Sequence, residues 1–308
     1  MSFLKRKNTL FVCLLLLLVT ACNTGSPKAT STSSQAITTG TVINTPTPTN
    51  TPLPPTATPV PSAATVNGEA ITLEEYQAEI ARYQAATVIT GTILASDTKT
   101  VVLDELIDQT LLAQAAVENG FIVDDALLES RIETLENQLG GAQALDTWIA
   151  ENGYTIDTFK TAYKRSIGAA LMRDQITAGV AETADQVHIL QILVPTQAEA
   201  DQVYASLQSG EDFLDLVNTY DPLTRGDLGW FPRGYLNQPA IEEAAFALQG
   251  EKYSPVIHTD VGYHVLYLLE RDPEHPLSPD ARRVLQLEAV QAWLAERKSQ
   301  SDIQILVP

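Results

Sequence analysis

Cysteine is almost missing from this chain of 308 residues: only Cys13 and Cys22 occur. Nothing beyond residue 22 can form a disulfide or act as a thiol nucleophile, so the folded part must hold by burial alone. Histidine is nearly as scarce. His188, His258, His264 and His275 lack the close ligand spacing of a zinc site, although His258 and His264, six apart, leave a fortuitous pair open. No Gly-x-Ser-x-Gly element marks a hydrolase nucleophile, and the glycines of 226–234 lack the Gly-Lys-Ser/Thr step of a phosphate loop. No metal and no cofactor are expected. Positive charge is short as well: 19 Lys and Arg against 38 Asp and Glu leave a net charge of −19. That balance argues against nucleic acid and against an electrostatic grip on anionic lipid. It suits a solubilising surface or an attraction for basic polypeptide segments. No apolar run reaches the roughly 20 residues of a spanning helix.

What the first residues do contain is a targeting pattern. Lys5, Arg6 and Lys7 precede the short apolar run Leu10 to Val19, and Leu18-Val19-Thr20-Ala21-Cys22 resembles a bacterial lipobox. The resemblance implies that residues 1–21 are a signal peptide and that Cys22 is lipidated, anchoring the chain on the outer face of a bacterial cell membrane. A secretory signal with an incidental cysteine is the other reading. Losing the three basic leader residues would bring the net charge to about −22. Residues 22–64 form a Thr/Ser/Pro-rich stretch with one charge, Lys28, and repeated Thr-Pro steps. Proline removes amide donors and no apolar period exists to bury, so this stretch is expected to be a disordered tether. Fully extended as polyproline II, the segment from 23 to 64 would reach roughly 130 Å. An O-glycosylated stalk would serve the same purpose.

About 245 residues remain, enough for a core. Residues 65–181 read as helices. Thr72 and Glu75 have capping-box spacing before Leu73, Tyr76, Ile80 and Tyr83 on one face. Further helices are expected from about Asp97, from Asp124 or Asp125, around Leu145 to Ile149, and through Phe159, Tyr163 and Ile167. Their apolar faces serve a core first and a polypeptide-binding surface second. Residues 182–272 alternate instead. A β-rich run from Val187 to Val194 is followed by a helix capped by Thr196 and Glu199, a second with Phe213, a third from Ile241 to Leu248, and strands at Val256-Ile257 and Tyr263 to Leu269. Glycine-hinged turns are expected across Gly226-Asp227-Leu228-Gly229-Trp230-Phe231. Residues 273–308 add a helix with Ser278 as cap and Pro279 at its first position, then a strand-like Ile303 to Leu306.

The series Gln191-Ile192-Leu193-Val194, Gly226-Asp227-Leu228-Gly229-Trp230-Phe231 and Gly262-Tyr263-His264 resembles the parvulin, or PpiC-like, peptidyl-prolyl isomerases over most of 185–270. Val66-Asn67-Gly68-Glu69 followed by amphipathic helices resembles the N-terminal chaperone domain of SurA- and PrsA-type foldases. Together they imply an α+β fold: a small antiparallel sheet with surrounding helices, inserted in an all-α helical domain to which residues 273–308 return.

Rotation about an X-Pro bond needs no nucleophile. Its barrier of about 18–20 kcal/mol is amide resonance, which a dry site lowers by favouring the twisted amide. The resemblance assigns His264, Thr259, Gln191 and Asp221 as the polar group around the amide. Leu228, Phe231, Leu236, Ile241 and Phe246 are the apolar wall. Taken singly, a histidine on an apolar strand also reads as a structural residue, and each wall residue as plain core. The chain departs from the family at Gln191, where a histidine is usual; His188, three residues earlier on a strand, points to the opposite face. Gln191 hydrogen-bonds but cannot ionise. Two functions follow: a lipid-anchored isomerase and foldase for extended proline-containing clients, or a chaperone whose isomerase domain is weak or inactive.

Overall fold

The computed structural model describes residues 60–91, 97–248 and 253–307. The expected leader, Cys22 and the tether up to residue 59 lie outside the described residues. Strand pairing is already present before residue 65, for Ser62 faces Thr72. Strands β1 (Ser62–Val66) and β2 (Glu69–Thr72) form a hairpin. Asn67 and Gly68 turn it with φ of 51° and 85°, the doubly positive geometry that Asn-Gly favours.

Helix α1 (Leu73–Thr90) starts at Thr72, whose hydroxyl accepts the Glu75 N–H at 3.0 Å. The reciprocal half of the predicted capping box is not made. Glu75 instead pairs at 2.5 Å with Arg165, a guanidinium only 9% exposed that needs a carboxylate more than the helix end does. Helices α2 (Thr98–Glu118), α3 (Asp125–Leu139), α4 (Ala142–Glu151) and α5 (Ile156–Ala178) follow. Asp97 and Asp124 cap α2 and α3 through the Thr100 and Leu127 amides. Gly168 of α5 packs against Ala113 of α2, where an added β-carbon would lie at an ordinary contact distance of 3.5 Å.

The chain then builds β3 (Thr183–Val194), α6 (Gln197–Gln208), α7 (Phe213–Tyr220), β4 (Asp227–Pro232), α8 (Pro239–Ala247), β5 (Ile257–Thr259) and β6 (Gly262–Pro276). These strands form one antiparallel sheet in the order β4-β3-β6-β5. Alternation along β3 sends Leu190, Ile192 and Val194 to one face, under Ala200, Val203, Phe213 and Val217 of α6 and α7. Val187 and Ile189 go to the other, with Phe231, Ile241 and Phe246. Finally α9 (Pro279–Ser299) packs Trp293 and Leu294 against Leu112, Ala116 and Met172. Strand β7 (Ile303–Ile305) completes the first sheet beside β1, with Val66 opposite Ile303. The fold is α+β.

One expectation needs correction. The segment read as glycine-hinged turns is largely the strand β4. His188 faces Trp230 and Leu190 faces Asp227, so two steps on β3 match three on β4. This β-bulge hides the two-residue period. It also lets Leu228 and Phe231, three apart, pack into the same cluster.

Candidate active site

His264 stands on β6 directly opposite Leu193 of β3 and Ile257 of β5. Its ring is 3% exposed, and burial pushes the imidazole below its ordinary value. Nδ1 lies 3.0 Å from Gln191 Oε1 and Nε2 lies 2.8 Å from Thr259 Oγ1. An amide oxygen only accepts, so Nδ1 carries the proton, and in the neutral ring Nε2 accepts from the Thr259 hydroxyl. Thr259 Oγ1 in turn accepts the Val261 N–H at 3.3 Å. Val261, Thr259, His264 and Gln191 thus form a chain of hydrogen bonds running one way. Because Gln191 cannot ionise, the chain orients a neutral imidazole and relays no proton.

Gln191 is held from behind. Its N–H donates to the Gly226 carbonyl at 2.8 Å, and a β-carbon at 226 would lie 1.8 Å from the Gln191 carbonyl oxygen. Asp221 builds the loop that delivers Gly226. Its carboxylate accepts from the Leu223, Thr224 and Gly226 amides and the Thr224 hydroxyl, and these bonds hold it below the usual carboxylate range. Asp221 is not brought to the imidazole; it reaches Gln191 only through the loop backbone. His188 is on the far face, bonded to Asp227 Oδ1 at 2.8 Å, with the Trp230 ring tilted beside it and stacked on His275.

The apolar wall divides in two. Phe231, Ile241 and Phe246 are 0%, 3% and 2% exposed. They form the packed floor, with Phe231 and Phe246 edge to face at 6.1 Å and the Arg233 guanidinium closing over Phe246 at 4.2 Å. Leu228 and Leu236 pack on that floor and remain half-buried, so they are the wall residues that solvent reaches. Tyr235 and Ile257 join them, unanticipated. The signal for Ile257 was present, since it stands two residues before Thr259 on one strand face. Glu242 also escaped notice: its carboxylate accepts the Gly234 and Leu236 N–H groups at 2.8 and 3.1 Å and fixes the loop that carries Leu236. Among the described residues no group of three or more His, Cys, Asp or Glu converges as metal ligands.

A polar chain centred on a buried neutral imidazole, beside an apolar floor, suits binding and twisting an amide. Known proteins agree. Residues 188–270 match the PPIC-type PPIase domain and residues 48–173 the SurA-like N-terminal domain. The foldase protein PrsA of Caldanaerobacter subterraneus is 30% identical over 221 residues, covering 65% of this chain and 70% of that protein. A parvulin-like PPIase of Rickettsia felis is 25% identical over 210 residues, covering 64% and 70%. A crystal structure of the peptidylprolyl isomerase PrsA from Bacillus cereus is 19% identical, covers 76% of this chain and 86% of its own, and has a TM-score of 0.44. The chain therefore belongs to the PrsA-like foldases, and it is a peptidyl-prolyl cis-trans isomerase of the parvulin type acting on polypeptides.

Proposed function

We propose that this isomerase works outside the cytoplasm, on the outer face of a bacterial cell membrane, where it assists the folding of exported proteins. Residues 1–21 serve as signal peptide, lipidated Cys22 as anchor and 22–64 as tether. Residues 65–181 with 273–308 make the chaperone part, and 182–272 the isomerase part. The lipobox-like Leu18 to Cys22 supports the anchor. The net charge of −19 supports polypeptide rather than nucleic-acid partners.

Within the isomerase part we assign His264, Thr259 and Gln191 to the rotating amide, and Leu228 and Leu236 to the proline ring. Phe231, Ile241 and Phe246 support them from beneath, and Asp221 is a positioning residue. The observation that carries this assignment is the Thr259–His264–Gln191 chain beside the half-buried leucines. A proline-limited refolding time course tests it. Wild type at micromolar concentration is expected to accelerate the slow phase, with His264→Ala losing most of the effect. Equal acceleration by both proteins would refute the assignment.

A second role favours the same chain as a holdase. A cleft of about 980 Å³ opens in the helical part, lined in part by Gln114, Val117, Ile122, Lys164 and Arg165. Val117 and Ile122 are exposed there. Suppression of client aggregation by His264→Ala at the wild-type level would support holding independent of isomerisation.

A further inference from the structure

The isomerase part meets the C-terminal helix at a glycine. Gly234 turns the loop between β4 and α8 with a φ of 84°. A β-carbon there would lie 2.9 Å from the carboxyl carbon of Glu288 and closer still to its Oε2. Glu288 stands on α9, the helix that Trp293 and Leu294 anchor on Leu112, Ala116 and Met172 of the helical part. Its carboxyl group therefore rests on the bare Cα of a loop that belongs to the isomerase part. The same loop is held by Glu242, which accepts the Gly234 and Leu236 N–H groups. Burial and then the charge of Glu242 push the Glu288 carboxyl up, as two neighbouring acids require. One turn to either side on α9 stand Val284, Leu285, Gln291 and Ala292, none of them basic. No cation of its own helix draws Glu288 away from the loop.

We infer that Glu288 is a positioning residue for the isomerase, supplied by the helical part: through Gly234 it holds Leu236 where the proline ring binds. This rests on the assignment of Leu236 to the proline wall. Leu236 is half-buried and packs on the floor from one side only, so its place depends on the loop backbone. Glu242 fixes that backbone from within the isomerase part. Glu288 limits it from outside, because the loop cannot swing toward α9 without driving Gly234 into the carboxyl group. The contact works by shape, and charge opposes it, since two carboxylates repel. Glycine is needed at 234 twice over: for its positive φ, and because any side chain would displace Glu288. Glu288 is otherwise exposed, so the fold does not depend on it. The proline wall is thus completed only when α9 is docked on the helical part, which ties isomerisation to the intact chain. The polar chain at His264 lies elsewhere, bonded to Thr259 and Gln191. Loss of Glu288 therefore weakens the grip on proline and leaves the rotation step alone.

The test measures KM and kcat of the full chain on a proline tetrapeptide by NMR exchange, with urea denaturation as the stability control. Glu288→Ala is expected to raise KM several-fold while kcat stays within about twofold and the urea midpoint is unmoved. Glu288→Gln keeps the shape and is expected to recover most of the wild-type KM. Gly234→Ala is expected to raise KM more in the wild-type background than in Glu288→Ala, because the two substitutions remove one contact. Leu236→Ala separates this inference from the assignment beneath it. If Leu236→Ala raises KM and Glu288→Ala does not, the positioning role is overturned and the wall assignment stands. If Leu236→Ala leaves KM unchanged, the wall assignment fails and the route from Glu288 fails with it. Impairment of Glu288→Gln equal to that of Glu288→Ala, or additive effects of the 234 and 288 substitutions, also overturns the positioning role.

Discussion

Gly226→Ala is the sharpest probe of how Gln191 is held. The residue has a φ of 61°, where an alanine costs about 1–2 kcal/mol. A methyl group there would lie 1.8 Å from the Gln191 carbonyl oxygen and 2.9 Å from its carbon. The obstacle is backbone in the middle of β3, so no rotamer relieves it. Reaching an ordinary separation needs a shift of about 1 Å or more, at an overpacking cost of about 1–3 kcal/mol. The Gln191 N–H to Gly226 carbonyl bond, 2.8 Å long, strains with it and adds about 1 kcal/mol. Gly210→Ala is the control: its φ is 95° and nothing lies within 4 Å of the new β-carbon, so only the backbone cost applies. Urea denaturation should place Gly226→Ala about 2–4 kcal/mol below Gly210→Ala. An imidazole NMR signal of His264 displaced only in Gly226→Ala would show that the shift travels through Gln191. Equal destabilisation by the two substitutions would refute the argument.

Thr259→Val removes the hydroxyl that faces His264 Nε2, leaving a buried acceptor unpaired. Denaturation should show a loss of about 1–3 kcal/mol, and Thr259→Ser should recover most of it. Stability should also depend on pH through His264. Burial holds its folded pKa below the unfolded value of about 6.5. Between the two values the unfolded chain binds more protons, so this contribution is fully present above about pH 6.5 and is lost as pH falls. His264→Gln should flatten the difference between urea midpoints at about pH 5 and about pH 7.5 relative to wild type. An unchanged slope would count against a buried neutral imidazole.

Features that depend on a few neighbouring residues were legible in the sequence. Thr196 and Glu199 form the reciprocal capping box that their spacing announced. Ser278 and Pro279 begin α9, as their order indicated. The motif ending at His264 led to the residue around which the polar chain assembles. Strand β4 was harder to see, because a bulge breaks the alternation by which strands are recognised. Glu75 shows the same limit from the other side. Its spacing from Thr72 specified a local bond, yet a guanidinium 90 residues away took the carboxylate.

Amino-acid order alone determined the helices, their caps, the apolar strands and the polar residues available for a site. Each of these is decided within about one or two turns of chain, where spacing and propensity act directly. Tertiary packing decided which of those residues meet. It buried Phe231, Ile241 and Phe246 as support and left Leu228 and Leu236 reachable. It turned Asp221 to its own loop and set Gln191 rather than His188 beside His264. It also joined β7 to β1, far apart in the chain. The reason is physical: burial and hydrogen-bond partnership belong to pairs of surfaces brought together by closure of long loops, and no local stretch carries the identity of its partner.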